Sequence, residues 1–366
     1  TGNTLIKCNP VTVGGSNLPN LSYLGTDSSL YYSKYELKSD LAWKDLINLC
    51  DTLNNNTANL DKIMDIDRAI WMLAFNNVLV NLDSYTGAFA QNYYEYMDDN
   101  GRFNSIVWDL NMCFGGFNMT GIGGPSSVTQ MQNMTPILHS TSTNRPLIKN
   151  LLADAMYKRM YIAHMRTITN ENFANGSYIT SANNLFLICD TAVQSDPYKF
   201  FTYTQFQNSL TTNVTSGPMT IPGIQLLMNA RNTYLQSTTE FSQVPPVISG
   251  ISSSPAVPNM SDTIWITANI TGSTYVYLGY RDYTPLIFNK TQMFDDGLHN
   301  DGTSGDGVFG AYFVATSPLM EYYIYAENNN AGMFSPERAE HEFYSIVINV
   351  ATLNPGDIVI NELMAS

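Results

Sequence analysis

The chain has 366 residues, 44% of them apolar and only 13% charged, with a formal net charge of −14. That length allows two or three domains with their own cores, and the charged share is about half the usual one. The acidic balance excludes a nucleic-acid partner, which needs basic surface, and no apolar run nears the ~20 residues of a membrane span.

Residues 1–35 are rich in Gly, Asn, Ser and Tyr and predict short strands with turns. Asp40 can cap a helix reaching about Leu53, with Trp43, Leu46, Ile47 and Cys50 on one face. After Asn54-Asn55-Asn56 a longer helix is expected from about Leu60 to Leu82, since Ile63, Ile66, Ile70, Leu73 and Val80 recur near every 3.6 residues. Asn92 to Tyr96 alternates as a strand, Asp98-Asp-Asn-Gly101 supplies a turn, and Arg102 to Trp108 predicts the returning strand. Residues 115–145 read as a long loop and Pro146 to Arg166 as one helix, with further helices over 180–235.

Pro245-Pro246 stiffens a linker, and a domain boundary is placed at 242/243. Beyond it the apolar period becomes two, as in Thr263-Ile-Trp-Ile-Thr267 and Glu321-Tyr-Tyr-Ile-Tyr-Ala326. Roughly seven short strands in about 100 residues predict an immunoglobulin-like sandwich over 243–350. Asp357-Ile-Val-Ile-Asn-Glu-Leu-Met-Ala-Ser366 reads as the first strand of another domain and resembles the opening of lamin-tail-type domains. The chain is accordingly expected to be a window on a longer polypeptide, with further domains as its neighbours.

Cys8, Cys50, Cys113 and Cys189 allow three full pairings or free thiols, and the spacing does not choose. None has the spacing of a structural zinc site. His139, His164, His299 and His341 show no paired ligand spacing. Low charge and three Asp-Thr-apolar triplets similar to a short bacterial O-glycosylation motif agree with an extracellular or cell-surface location, while the nine N-x-[ST] sequons are near the chance number for this Asn, Ser and Thr content.

Candidate chemistry centres on Asp83, Asn92 and Asp109. Asp83 follows a helix, Asn92 opens a hairpin, and Asp109 ends its second strand, where side chains converge on ligands. One or two carboxylates with an amide oxygen form a hard-oxygen set suited to Mg²⁺ carrying phosphate. Read from the residues alone, Asp83 equally satisfies backbone near a helix end, and Asp109 equally caps the turn into Phe114-Gly115-Gly116.

The order helix, Asn81-Leu-Asp-Ser84, Asn92-Tyr-Tyr-Glu-Tyr96, turn, Trp108-Asp-Leu-Asn-Met-Cys-Phe-Gly115 resembles the CotH family of spore-coat, kinase-like proteins. Tyr35-Glu-Leu-Lys38 and Pro146-Leu-Ile148 also sit where that family has similar residues. The resemblance implies an α+β protein-kinase-like lobe over 1–242 and phosphoryl transfer from Mg-ATP to hydroxyls of a partner protein. It implies Asp109 as Mg²⁺ ligand, Asp83 as the carboxylate near the acceptor or second metal, Asn92 as a further ligand, and Trp108 as a surface for adenine. Two departures accompany it: Asn111 replaces the family's second acid in W-D-x-D, and the family's N-terminal lobe with its nucleotide-gripping lysine is expected upstream of Thr1. A catalytically degenerate surface or filament scaffold and a Ca²⁺-stiffened adhesin are the competing readings.

The densest acidic cluster is Phe294-Asp-Asp-Gly-Leu-His-Asn-Asp-Gly-Thr-Ser-Gly-Asp-Gly-Val-Phe309. Asp295, Asp296, Asp301 and Asp306 between glycines are expected to hold a structural Ca²⁺, the alternative being Asp-Gly turns between strands.

Overall fold

The computed structural model describes residues 3–12, 17–40, 42–216 and 219–350, so the strand expected at 357–366 lies outside the described residues. The chain divides into two compact units. One holds the described residues up to Pro245 with Asn329–Met333; the other holds Pro246–Asn328 and those from Phe334 onward.

The first unit begins with β1 (Leu5–Cys8), β2 (Glu36–Leu37), α1 (Trp43–Asn55) and α2 (Ile66–Val78). The hairpin β3 (Tyr93–Met97) and β4 (Phe103–Val107) completes an antiparallel sheet in the order β2-β1-β3-β4. Then follow α3 (Val128–Gln132), α4 (Pro146–Ala153), α5 (Ala155–Ile168) and α6 (Ser177–Ser195). The unit closes with α7 (Tyr203–Asn208), the small hairpin β5 (Val214–Ser216) and β6 (Met219–Ile221), α8 (Ile224–Ser237) and α9 (Thr239–Ser242). Helix α2 is the hub, packing on α5 on one side and on β4 on the other. The mixed helices and strands here, followed by the all-β second unit, give the expected fold class.

Local chemistry moves several expected boundaries. α1 starts at Trp43 rather than behind Asp40, preceded by Ala42, which offers no side-chain cap; Asp45 in its first turn instead accepts from Thr4 Oγ1 at 2.5 Å. The helix expected from Leu60 is a 3₁₀ turn over Thr57–Lys62, and α2 begins only where Asp65 Oδ1 caps Arg68 N at 3.1 Å. α2 ends at Val78, because Val80 turns left-handed at φ 50°. The single helix expected over 146–166 breaks at extended Asp154, whose carboxylate accepts from Met156 N and Tyr157 N and starts a new helix. Inside the expected 115–145 loop, Ser127 and Gln130 form a capping box that nucleates α3.

In the second unit, β7 (Val247–Ser254), β8 (Thr263–Thr271) and β11 (Val308–Val314) form one sheet in the order β11-β8-β7. β9 (Tyr275–Arg281), β10 (Asn289–Gln292), β12 (Leu319–Glu327), β13 (Gly332–Ser335) and β14 (Tyr344–Val347) form the other, ordered β10-β9-β12-β13 with β14 also on β12. Alternate residues Ile264, Ile266, Ala268 and Ile270 meet Val276, Leu278, Met320 and Ile324 in the core, as the period of two requires.

On the sheet of the first unit, Glu95 projects inward beside Tyr93 and is fully buried. Its Oε1 accepts from Ser105 Oγ at 2.8 Å, while Oε2 has no partner. Burial pushes its pKa up to about 8, so the protonated form suits the fold. Because the folded value exceeds the unfolded one, its contribution is complete below the ordinary carboxylate range and is lost as pH rises toward 8. Glu95→Gln, which keeps the shape without the charge, is therefore expected to stabilise the protein at pH 9 by on the order of a few kcal/mol. At pH 4 it should change little; urea unfolding at both pH values checks this.

Candidate active site

The site forms where two turns are tied together. After α2 the chain bends at Leu79–Val80, and the segment after β4 comes back across it. Phe114 N donates to Leu79 O at 3.0 Å and Gly115 N to Val80 O at 3.1 Å. These bonds set the turn carrying Asp83 against the turn carrying Asp109. Five non-glycine residues adopt positive φ between positions 80 and 114: Val80, Ala90, Asn92, Asp109 and Phe114. Such conformations cost energy for L-residues and concentrate at functional sites.

Asp83 is half-buried, past the end of α2 rather than in its last turn. Gln91 Nε2 donates to its Oδ1 at 2.8 Å, and Asn92 Nδ2 donates to its backbone carbonyl at 2.9 Å. Burial raises the Asp83 pKa most; the Gln91 bond opposes this, and the charge of Asp109 adds to the rise. The charge of Asp83 also reaches Cys113, whose thiol is pushed up to about 12, mainly by burial. The two carboxylates thus stand close enough to repel, which a cation between them would relieve.

Asp109 is exposed at the end of β4, in left-handed conformation at φ 55°, and makes no cap of the following 3₁₀ turn. The capping alternative for Asp109 is therefore not what this geometry uses. Asn92 is buried and its amide N–H donates to Asn9 Oδ1 at 2.8 Å, which locks the start of β3. Trp108 is 51% exposed and meets Tyr94 edge-on, with centroids 5.2 Å apart. Lys7 lies opposite Tyr94 in the sheet register, and its charge reaches Glu36. This side of the sheet thus offers an open aromatic with a cation nearby.

The residues fit a hard cation at the level of donor chemistry. Asp83 and Asp109 supply charge, and Gln91 Oε1, buried beside Asp83, takes no hydrogen bond. Among the described residues no three His, Cys, Asp or Glu side chains converge on one point. Two carboxylates completed by phosphate and water oxygens is nevertheless the ordinary way of holding Mg²⁺. Asn111 is exposed on the 3₁₀ turn after Asp109 and adds no charge. A separate cavity of about 630 Å³ between Phe114, Phe173, Leu185 and Phe206 has no charged lining residue and does not suit a polyphosphate.

Two residues beside the acids also shape the site. Gln91, adjacent to Asn92, orients Asp83, and Arg145, immediately before Pro146, fastens the intervening loop. Neither has a sequence signal beyond its neighbourhood to a recognisable motif.

With this geometry in view, the comparisons are specific. The family described as CotH kinase protein matches residues 4–234, more than half of the chain. The chain belongs to the CotH kinase family. Residues 288–322 match the conditioned medium factor second Ig-like domain, in agreement with the sandwich of the second unit. No curated relative matches the chain.

The aspartate loop of the second unit is folded by its own carboxylates. Asp301, 1% exposed, accepts from the backbone N–H groups of Asp296, Gly297 and His299 at 2.6–2.9 Å. Asp295 accepts from Gly305 and Gly307, Asp306 from Thr303 and Val308, and Asp296 from Leu298. These are the bonds of Asp-Gly turns, and carboxylates that make them keep lone pairs that a cation could also use. All four cysteines are free, Cys8 and Cys50 being buried.

Two predictions follow from these charges. Asp109→Asn removes the repulsion on Asp83, so the Asp83 carboxyl should titrate at lower pH than in wild type, as read by carbon-detected NMR. For Asp301, burial raises the pKa, but the loop N–H groups outweigh it and hold the carboxyl below its usual value. Its contribution is therefore present at neutral pH and lost as pH falls through that depressed value. Asp301→Ala should destabilise the second unit by on the order of 1–3 kcal/mol at neutral pH, read as a lower melting temperature.

Proposed function

We propose that this protein transfers the γ-phosphoryl group of ATP to hydroxyls of a partner protein, outside the cell or at its surface. The observation that carries the reading is that the backbone bonds Phe114 N to Leu79 O and Gly115 N to Val80 O set the turn with Asp83 against the turn with Asp109 in a CotH kinase domain. Low charged content supports the location.

Asp109, exposed and without a cap bond, would hold Mg²⁺ on the phosphates, and the half-buried Asp83 carboxylate would face the acceptor. Bound Mg²⁺ would supply neutralisation of phosphate charge, the main electrostatic demand of phosphoryl transfer. The acceptor oxygen forms a bond to the γ-phosphorus as the bond to the β,γ-bridging oxygen breaks, and ADP leaves. Asp83 takes the hydroxyl proton; its raised pKa makes it a better acceptor than an ordinary carboxylate. Trp108 offers its exposed face to adenine, and Gln91 and Asn92 keep Asp83 oriented.

A second reading, a kinase-like scaffold in a surface or filament assembly, is favoured by Asn111. With an amide at that position the site has one carboxylate fewer than the family pattern. Radiolabelled ATP and the full-length protein separate the two readings. Transfer by wild type that drops at least a hundredfold in Asp109→Ala supports the kinase, and no transfer by either protein supports the scaffold.

A further inference from the structure

We propose that Arg145 is the positioning residue of the Asp83 loop, its buried guanidinium fixing where Asp83 stands relative to Asp109. This rests on the reading of those two carboxylates as the metal-nucleotide site.

Arg145 is 2% exposed, and every partner it has among the described residues is a backbone carbonyl. Nε donates to Tyr85 O at 3.0 Å, Nη2 to Gly87 O and to Ala88 O at 3.2 Å, and Nη1 to Asn144 O at 2.7 Å. Three of these carbonyls belong to the segment that joins Asp83 to Gln91 and Asn92. A buried cation costs desolvation, and burial does depress the Arg145 pKa. No carboxylate offsets that cost. The charge is met by carbonyl dipoles of this one loop, so the loop's conformation and the guanidinium's solvation are a single arrangement.

Other contacts act on the same segment from the same side. Tyr85 Oη accepts from Leu147 N at 2.9 Å and donates to Asn20 O at 3.0 Å, so the first turn of α4 and the Asn20 carbonyl both hold Tyr85. From across the loop, Ala88 N donates to Met119 O at 2.9 Å. His139, beside Arg145, has its pKa lowered to about 4 by burial and then by the Arg145 charge. It is neutral at physiological pH and adds no rival cation. The loop also has little slack: a Cβ on Gly87 would overlap the carbonyl of Leu82. Lysine cannot replace this clamp, because one ammonium cannot span Tyr85 O on one edge and the Gly87 and Ala88 carbonyls on the other as a planar fork does.

The test compares Arg145→Lys with Arg166→Lys, each keeping the charge. Arg166 is the control for a charge-keeping change at a half-buried arginine away from the site; it contacts the carbonyls of Glu240, Phe241 and Gln243 through Nη2 alone, with no fork to lose. Two quantities are measured on the full chain: the Mn²⁺ dissociation constant by electron paramagnetic resonance, and hydrogen exchange at the amides of 84–92 and at Phe114 and Gly115. The proposal expects Arg145→Lys to weaken Mn²⁺ at least tenfold and to speed exchange in both turns at least tenfold, with Arg166→Lys within twofold of wild type. Unchanged Mn²⁺ affinity in Arg145→Lys overturns it, as does equal weakening in the control.

If wild type binds no Mn²⁺, the metal reading fails. Exchange then decides the role of Arg145 alone: protection lost in both turns supports positioning, and loss confined to 84–92 overturns it. Should Arg145→Lys not fold, Gly121→Ala serves instead. Its Cβ would stand 3.1 Å from Ala88 Cα at a φ of +83°, pressing on the same loop with the guanidinium in place, and the same weakening is expected.

Discussion

Two backbone hydrogen bonds, from Phe114 to Leu79 and from Gly115 to Val80, are the constraint on which the candidate site depends. They are neither helical nor part of a sheet ladder. They exist because the chain leaves α2 through left-handed Val80 and leaves β4 through left-handed Asp109 and Phe114. Without them Asp83 and Asp109 belong to two unrelated turns; with them the pair shares one electrostatic environment. The placement of strained residues around the two carboxylates has the distribution expected where a fold spends stability on a site.

The surrounding structure is built to hold those turns still. Asp65 caps α2 and also pairs with Arg102 at the head of β4, so the helix and the hairpin start from one anchor. At the other end of α2, fully buried Arg231 donates to Asn77 O and Oδ1 and to Met134 O. A cation there suits both the free carbonyls and the negative end of the helix dipole. Arg145 does the corresponding work for the loop that follows. Buried arginines bonded to carbonyls are costly to desolvate, and one stands on each side of the 79–90 segment.

The legible part of this architecture was the part written in periodicity and turn residues. The alternation in Thr263–Thr267 and Glu321–Ala326 announced the sandwich, and Asp98–Gly101 announced the β3–β4 hairpin. Asp83, Asn92 and Asp109 were visible as acids and an amide at element ends, and the motif around them pointed to the right family. What periodicity could not show was where one side chain would interrupt it. Asp154 breaks a helix whose apolar pattern runs on unbroken, and Asp65 delays one that appears to start earlier. Arg145 was invisible for another reason: its partners are backbone carbonyls, which carry no sequence signature. In the aspartate loop composition suggested a cation; in the fold the same carboxylates also accept from the loop's own N–H groups.

The central claim is that Asp83 and Asp109 together form a Mg-nucleotide site, and calorimetric titration of ADP in the presence and absence of Mg²⁺ tests it most directly. The account predicts Mg²⁺-dependent binding to wild type that weakens at least tenfold in Asp83→Asn and in Asp109→Asn, with both variants folded. Binding of equal strength in all three proteins, or indifferent to Mg²⁺, would contradict it.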